Sequence, residues 1–142
     1  MHRLGHDCPG GSRAEKAMSI ALWCLMIAGI LPIVCAGISK GGASDYDNRA
    51  PREWLARQEG YRRRANAAQA NSWEAFTWFG IAMAIALVTQ ADPKQLDFLA
   101  MFFIASRILY IGFYVMDKST LRTLAWLAGF ITTLTVFASG TT

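Results

Sequence analysis

Polar and charged side chains recur at helical spacing inside a long apolar stretch near the middle of the chain. Arg64, Ala67, Asn71, Glu74 and Trp78 are three or four residues apart, so a helix places them on one face. A charged group at membrane depth costs about 2.5–3.5 kcal/mol on insertion scales, and such groups are usually paired and functional. We therefore interpret this cluster as a candidate site whose chemistry is ionic and amide hydrogen bonding.

A second polar face lies further along the chain. Arg107, Tyr110 and Tyr114 are spaced by three and four residues, and Arg122 opens the next apolar run. Arg107 would be a buried cation and Glu74 a buried anion if each stood alone. We expect these two side chains to pair, because an uncompensated buried charge is costly.

The elements that must position these residues are membrane helices. At 142 residues the chain is one domain by length, and it is 54% hydrophobic and only 17% charged. Each apolar run has about the 17–25 residues that a spanning helix needs, and a helix satisfies its own backbone in lipid. The predicted fold is an all-α integral membrane protein, an antiparallel bundle of four transmembrane helices at residues 18–38, 67–88, 96–116 and 121–138.

The distribution of positive charge predicts the orientation in the membrane. The segment between the first two runs carries seven of the 14 basic residues: Lys40, Arg49, Arg52, Arg57, Arg62, Arg63 and Arg64. By the positive-inside rule this loop is cytoplasmic and both termini lie outside. We interpret the triplet at residues 62–64 as a topology signal in contact with the lipid bilayer, and we expect no nucleic-acid partner despite the net charge of +4.

The connections between the runs contain several helix start and stop signals. Pro51 suits the first turn of a short helix that Gly60 would end. A tight turn at residues 91–93 joins the second and third spans. Ser119 or Thr120 is expected to cap the last helix.

The N-terminal residues 1–17 precede the membrane domain at residues 18–142. We interpret them as a disordered tail or as a wrongly assigned start, with a cleaved signal peptide as the competing interpretation. His2, His6 and Cys8 have metal-binding side chains but lie in a segment that contains Gly and Pro and lacks an organised scaffold. We therefore expect no metal site.

These residues together resemble the MAPEG family, the membrane-associated proteins in eicosanoid and glutathione metabolism. Asn71-Ser-Trp-Glu74 resembles the family's Asn-x-x-Glu signature in its second helix. Arg107-Ile-Leu-Tyr110-Ile-Gly-Phe-Tyr114 is similar to its Arg-x-x-Tyr-x-x-x-Tyr run, and Arg122 resembles the arginine that opens its fourth helix. The resemblance covers about residues 18–140 and is closer to the bacterial branch, which implies a bacterial inner (plasma) membrane.

The resemblance implies a homotrimer with glutathione bound as co-substrate between subunits, near the cytoplasmic end. In such a protein arginines hold the two carboxylates of the tripeptide, and an arginine near the thiol favours the thiolate. The thiolate attacks a lipophilic electrophile or hydroperoxide, in the manner of a transferase or peroxidase. The implied catalytic residue is Arg122, and the implied glutathione-binding residues are Arg64, Asn71, Glu74, Arg107, Tyr110 and Tyr114.

One departure from the family pattern supports an alternative. Glutathione-using members usually have an arginine seven residues before the signature glutamate, where this chain has Ala67, and Arg64 lies about one turn further out. The alternative is a non-catalytic membrane protein, an accessory or assembly subunit in which the polar residues only join helices. A small transporter or channel is the remaining alternative, and the runs lack the paired breaks by Gly and Pro that would support transport.

Overall fold

A computed structural model describes residues 19–141. The expectations for residues 1–17, including the absence of a metal site at His2, His6 and Cys8, lie outside the described residues. Within the described range the chain is helical apart from its connections. The helices are α1 (Ile20–Lys40), α2 (Pro51–Ala56), α3 (Gly60–Val88), α4 (Pro93–Val115) and α5 (Ser119–Ser139).

Three of these helices are long and apolar enough to cross a membrane, which identifies the chain as a membrane protein by composition. They are α1, α4 and α5. The prediction of spanning helices is thus confirmed for three of the four runs. The remaining run, 67–88, is helical as predicted but belongs to the 29-residue α3. Arginines and the polar residues of the candidate site occupy the first half of α3 and lower its hydropathy.

The four long helices pack side by side, and each runs antiparallel to the long helix that precedes it in the chain. α1 and α5 each pack against both α3 and α4, which also contact one another. Arg62, near the start of α3, donates to the carbonyl of Ser39 at the end of α1. Arg64 likewise donates to the carbonyl of Val115 at the end of α4. We call this side of the molecule, which carries residues 41–59 and 116–118, the loop end.

Small side chains allow the helices to approach closely. The core shared by α1, α3 and α4 contains Ala21, Ala28, Ala82, Ala86 and Ala100, all buried. Phe79 and Phe103 stack across it with ring centroids 3.9 Å apart. Large aliphatic and aromatic side chains on all four long helices instead face outward. Helices that pack in lipid are expected to have small residues in their interfaces and large apolar residues facing outward.

A side-chain cap marks the start of α4, and a backbone turn precedes α5. Asp92 lies in the connection predicted at residues 91–93 and caps α4, since its side chain accepts from the Gln95 N–H at 2.9 Å. The predicted cap of α5 was wrong, because Lys118 occupies the cap position without a side-chain bond and Ser119 is already helical. Asp117 adopts φ 63°, and the Lys118 N–H donates to the Phe113 carbonyl. This turn ends α4 and leads directly into α5.

The expected end of the short helix at Gly60 was also wrong. α2 ends at Ala56, and Gly60 is the first residue of α3. Its φ of +58° lies in the left-handed region that glycine enters without a steric penalty. The glycine therefore redirects the chain into the next helix instead of terminating the previous one.

Removing the carboxylate of Asp97 is expected to destabilise the protein by about 1 kcal/mol, the typical effect of losing a helix cap. The Asp97 Oδ1 atom accepts from the Ala21 N–H at 2.8 Å, while Ser19 makes no side-chain cap of its own for α1. Unfolding in detergent should therefore rank Asp97→Ala below Asp97→Asn, which keeps an acceptor oxygen. Equal stability of the two variants would contradict this role.

Candidate functional site

An amide on α3 joins the buried arginine of α4 to the glutamate of α3. Arg107 is only 2% exposed, and its Nη2 donates to Asn71 Oδ1 at 2.9 Å and to Ser72 Oγ at 3.4 Å. The Asn71 Nδ2 in turn donates to Glu74 Oε2 at 3.3 Å. The three-residue separation of Asn71 and Glu74 on one helix face makes that second bond local. Asn71 is thus the bridge of the site.

The expected direct ion pair between Glu74 and Arg107 was wrong. Glu74 is an exposed residue on the outer side of α3, and Asn71 lies between the two charges. Within residues 19–141 the one ion pair joins Arg64 and Asp117, so Arg107 is a buried cation without a carboxylate partner in this range. A buried cation of this kind favours the binding of an anion.

Two arginines and two tyrosines continue the site toward the loop end. The guanidinium of Arg107 lies 4.1 Å from the centre of the Tyr110 ring, and that of Arg122 lies 4.4 Å from the Tyr114 ring. The two tyrosine rings meet edge to face at 5.5 Å. These cation–π contacts hold both guanidinium groups in defined positions. The α4 face predicted from the spacing of three and four is the one observed.

The site opens into two adjoining cavities. A polar cavity of about 250 Å³ is lined by Asn71, Tyr110, Tyr114, Arg122, Thr123 and Trp126. A largely apolar groove of about 120 Å³ runs between α3 and α5, with Trp78, Phe103 and Phe130 in its walls and Glu74 and Arg107 at its polar side. Asn71 and Trp126 line both cavities. The arrangement places a polar cavity that contains Arg122 directly beside an apolar groove that has Arg107 at its polar side.

The family comparison matches nearly the whole described chain. A model of the MAPEG family matches residues 20–141, which include every residue of the two cavities. The chain belongs to the MAPEG family. No curated protein and no solved structure matches the sequence. The resemblance inferred from the Asn-x-x-Glu and Arg-x-x-Tyr motifs is thus confirmed at the level of the family, and placement in its bacterial branch stays a prediction.

Six of the seven predicted site residues come together in this MAPEG chain, and Arg64 does not join them. Its Nε and Nη2 atoms donate to the Val115 carbonyl at 3.1 and 3.0 Å, and its Nη1 lies 3.8 Å from Asp117 Oδ2. It lines neither cavity. Arg64 instead satisfies a terminal carbonyl of α4, one of the groups that helix ends leave without an internal partner.

Several residues that shape the site were not selected from the sequence. Ser72 bonds to Arg107, Thr123 and Trp126 line the polar cavity, and Gly129 lies where α5 crosses α4. The sequence signal for Ser72 is its position inside the Asn-x-x-Glu motif. Nothing in the spacing of α5 distinguishes Trp126 from a residue that faces lipid.

Adding a side chain at Gly129 is expected to disturb both the fold and the site. A Cβ atom there would lie 2.8 Å from Ser106 Oγ and 3.5 Å from Arg107 Cδ. Gly129→Ala should lower the free energy of unfolding by about 1–3 kcal/mol, the usual cost of overpacking. Gly37→Ala is the matched control, since its Cβ would meet no atom within 4 Å. The prediction fails if the two variants unfold at the same temperature in detergent.

Proposed function

We propose that this MAPEG protein binds glutathione across the polar cavity and the polar side of the adjoining groove, where Glu74 and Arg107 lie, and uses its thiolate against lipophilic electrophiles or hydroperoxides. The observation that carries the proposal is Arg107, which is buried without a carboxylate partner among residues 19–141 and stands beside a cavity containing a second arginine. Leaving such a cation unpaired is costly, so an anionic ligand is the natural complement. Glutathione has two carboxylates.

The residues present fit the groups of the tripeptide. Arg107 and Arg122 supply planar guanidinium forks suited to carboxylates, and the tyrosine rings keep both forks in place. Glu74 has free acceptor capacity for the α-ammonium group, because its only described bond is to Asn71. The amide of Asn71 offers both donors and acceptors for the peptide backbone.

The proposed chemistry begins with Arg122. It is half-buried at the start of α5, and a cation close to the glutathione thiol favours the nucleophilic thiolate. Attack on an electrophilic carbon forms a C–S bond and expels the leaving group. With a hydroperoxide, two glutathione molecules supply two electrons and end as the disulfide, while the peroxide ends as alcohol and water. The adjoining groove with Trp78, Trp126 and Phe130 suits the lipophilic partner.

The proposal includes a trimer of four-span chains in a bacterial plasma membrane, with the loop end cytoplasmic and both termini outside. The exposed carboxylate of Glu74 supports it, since a single chain would present that charge to lipid at a cost of about 2.5–3.5 kcal/mol. A neighbouring subunit would cover this face and complete the glutathione site. Native mass measurement of the purified complex, with cross-linking in membranes, tests the trimer.

Glutathione binding is the experiment that decides the proposal. Calorimetry on the detergent-purified chain should give a dissociation constant in the micromolar-to-millimolar range. The diethyl ester of glutathione, which lacks both carboxylate charges, is the matched control ligand and should bind far more weakly. An aryl halide and an organic hydroperoxide then serve as probes of turnover. No binding up to several millimolar by the folded chain would overturn the proposal.

A non-catalytic accessory subunit is the second candidate function. Ala67 stands where glutathione-using members usually have an arginine, and Arg64 is held by Val115 and Asp117 instead of entering the cavity. One expected carboxylate ligand is therefore missing. In this case substitutions at Arg107 and Glu74 alter stability or partner association but no ligand binding. Co-purification of a partner without glutathione affinity would favour this candidate.

A further inference from the structure

The segment that joins α1 to α3 is anchored to the loop end by an aromatic cluster. Trp54 of α2 is 1% exposed, its Nε1 donates to Asp45 Oδ2 at 3.2 Å, and its ring meets Tyr46 edge to face at 5.1 Å. The guanidinium of Arg62 lies 5.9 Å from the Trp54 ring and donates to the Ser39 carbonyl at 2.9 Å. The segment therefore presents a fixed outer surface.

The basic triplet at residues 62–64 is divided by the fold. Arg62 and Arg64 are bonded to the carbonyls at the ends of α1 and α4, as described above, while Arg63 is exposed. Three more arginines, on the segment that joins α1 to α3, are exposed as well. Across residues 19–141, no hydrogen bond, ion pair or ring contact engages the guanidinium groups of these four: Arg49, Arg52, Arg57 and Arg63. We call these four residues the arginine surface.

Acidic residues of the segment compensate this charge only in part. Asp45 accepts from the Trp54 indole, and Asp47 accepts from the backbone N–H of Arg49. Glu53 and Glu59 are the other two acidic residues between residues 40 and 64, against seven basic ones. The arginine surface thus keeps an excess of positive charge and free donors.

The height of this surface in the membrane follows from the apolar helices. α1 ends at Lys40 and α4 at Val115, and both helices are apolar enough to span the hydrocarbon. The segment after α1 therefore lies at the level of the lipid headgroups. Guanidinium groups bind phosphate oxygens through paired hydrogen bonds. We propose that the arginine surface binds the phosphate groups of anionic phospholipids.

The test uses the full chain reconstituted in nanodiscs that contain phosphatidylcholine and phosphatidylglycerol. When the protein is purified from these nanodiscs in detergent, the lipid that stays bound to it should be richer in phosphatidylglycerol than the original mixture. Replacing all four arginines with glutamine should lower the apparent affinity of the protein for phosphatidylglycerol by about tenfold or more. Each cation near an anionic membrane surface contributes favourably to binding. The control is Lys94→Gln, an exposed cation at the start of α4, away from the loop end.

Two further measurements keep the inference testable. The pair Arg52→Gln with Arg57→Gln should give a partial loss, and unfolding in phosphatidylcholine alone shows whether each variant is folded. Equal enrichment for a folded four-site variant and the native chain would overturn the inference. Full competition by inorganic phosphate would overturn it as well, because the surface would then bind soluble anions and not lipid. Neither result bears on glutathione binding.

Discussion

Arg107→Met is expected to abolish measurable glutathione binding while leaving the protein folded. A charge-assisted hydrogen bond contributes about 1.5–3 kcal/mol, and a buried ion pair that loses one partner costs about 3–5 kcal/mol. The dissociation constant should therefore rise by about 100-fold or more. The change in unfolding free energy should be small, because a buried cation without a counter-ion is exchanged for an apolar side chain of similar length.

The direction of the stability change separates a ligand site from a purely structural one. In a structural role Arg107 mainly joins α3 to α4 through Asn71 and Ser72, so its removal should lower stability whether or not glutathione is present. Arg107→Lys keeps the positive charge but loses the planar guanidinium group that can form paired hydrogen bonds. We expect its glutathione affinity to lie between those of the native chain and Arg107→Met. Arg57→Met, an exposed arginine outside both cavities, is the control. Native-like glutathione affinity in Arg107→Met would refute the proposed role.

The helices and the polar face of α4 were predictable because they depend on local geometry. A spacing of three and four residues places Arg107, Tyr110 and Tyr114 on one side of any helix, and the structure has them there. The apolar runs likewise predicted α1, α4 and α5, since the mean hydropathy of about 20 residues depends only on which residues the segment contains. α3 is less apolar because it carries the residues that form the site.

The partners of the long polar side chains were not predictable in the same way. The expectation that Glu74 pairs with Arg107 followed from charge balance, which does not specify that Asn71 stands between them. Arg64 satisfies the Val115 carbonyl because α3 runs antiparallel to α4, a tertiary relation that the sequence near Arg64 does not encode. The start of α5 was predicted wrongly for a related reason. The backbone turn at Asp117 leads into the helix at Lys118, and no side chain caps it.

Glu74→Gln is expected to weaken glutathione binding by about tenfold or more without loss of stability. Glutamine is nearly isosteric and keeps an oxygen that can accept from Asn71, so the described hydrogen bond survives. What disappears is the negative charge for the α-ammonium group, an interaction of about 1.5–3 kcal/mol. Because glutamine keeps the one hydrogen bond that the described residues give Glu74, the unfolding free energy in detergent should stay unchanged.

A double-mutant cycle with a modified ligand makes this expectation specific to the ammonium group. The native chain should bind glutathione more tightly than its des-amino analogue. Glu74→Gln should bind the two ligands about equally, because this variant has no carboxylate to interact with the ammonium group of glutathione. Glu59→Gln, an exposed glutamate just before α3, should retain the native difference between the two ligands. If Glu74→Gln also retains that difference, the carboxylate does not hold the amine. Glu74 would then serve to orient Asn71 toward Arg107.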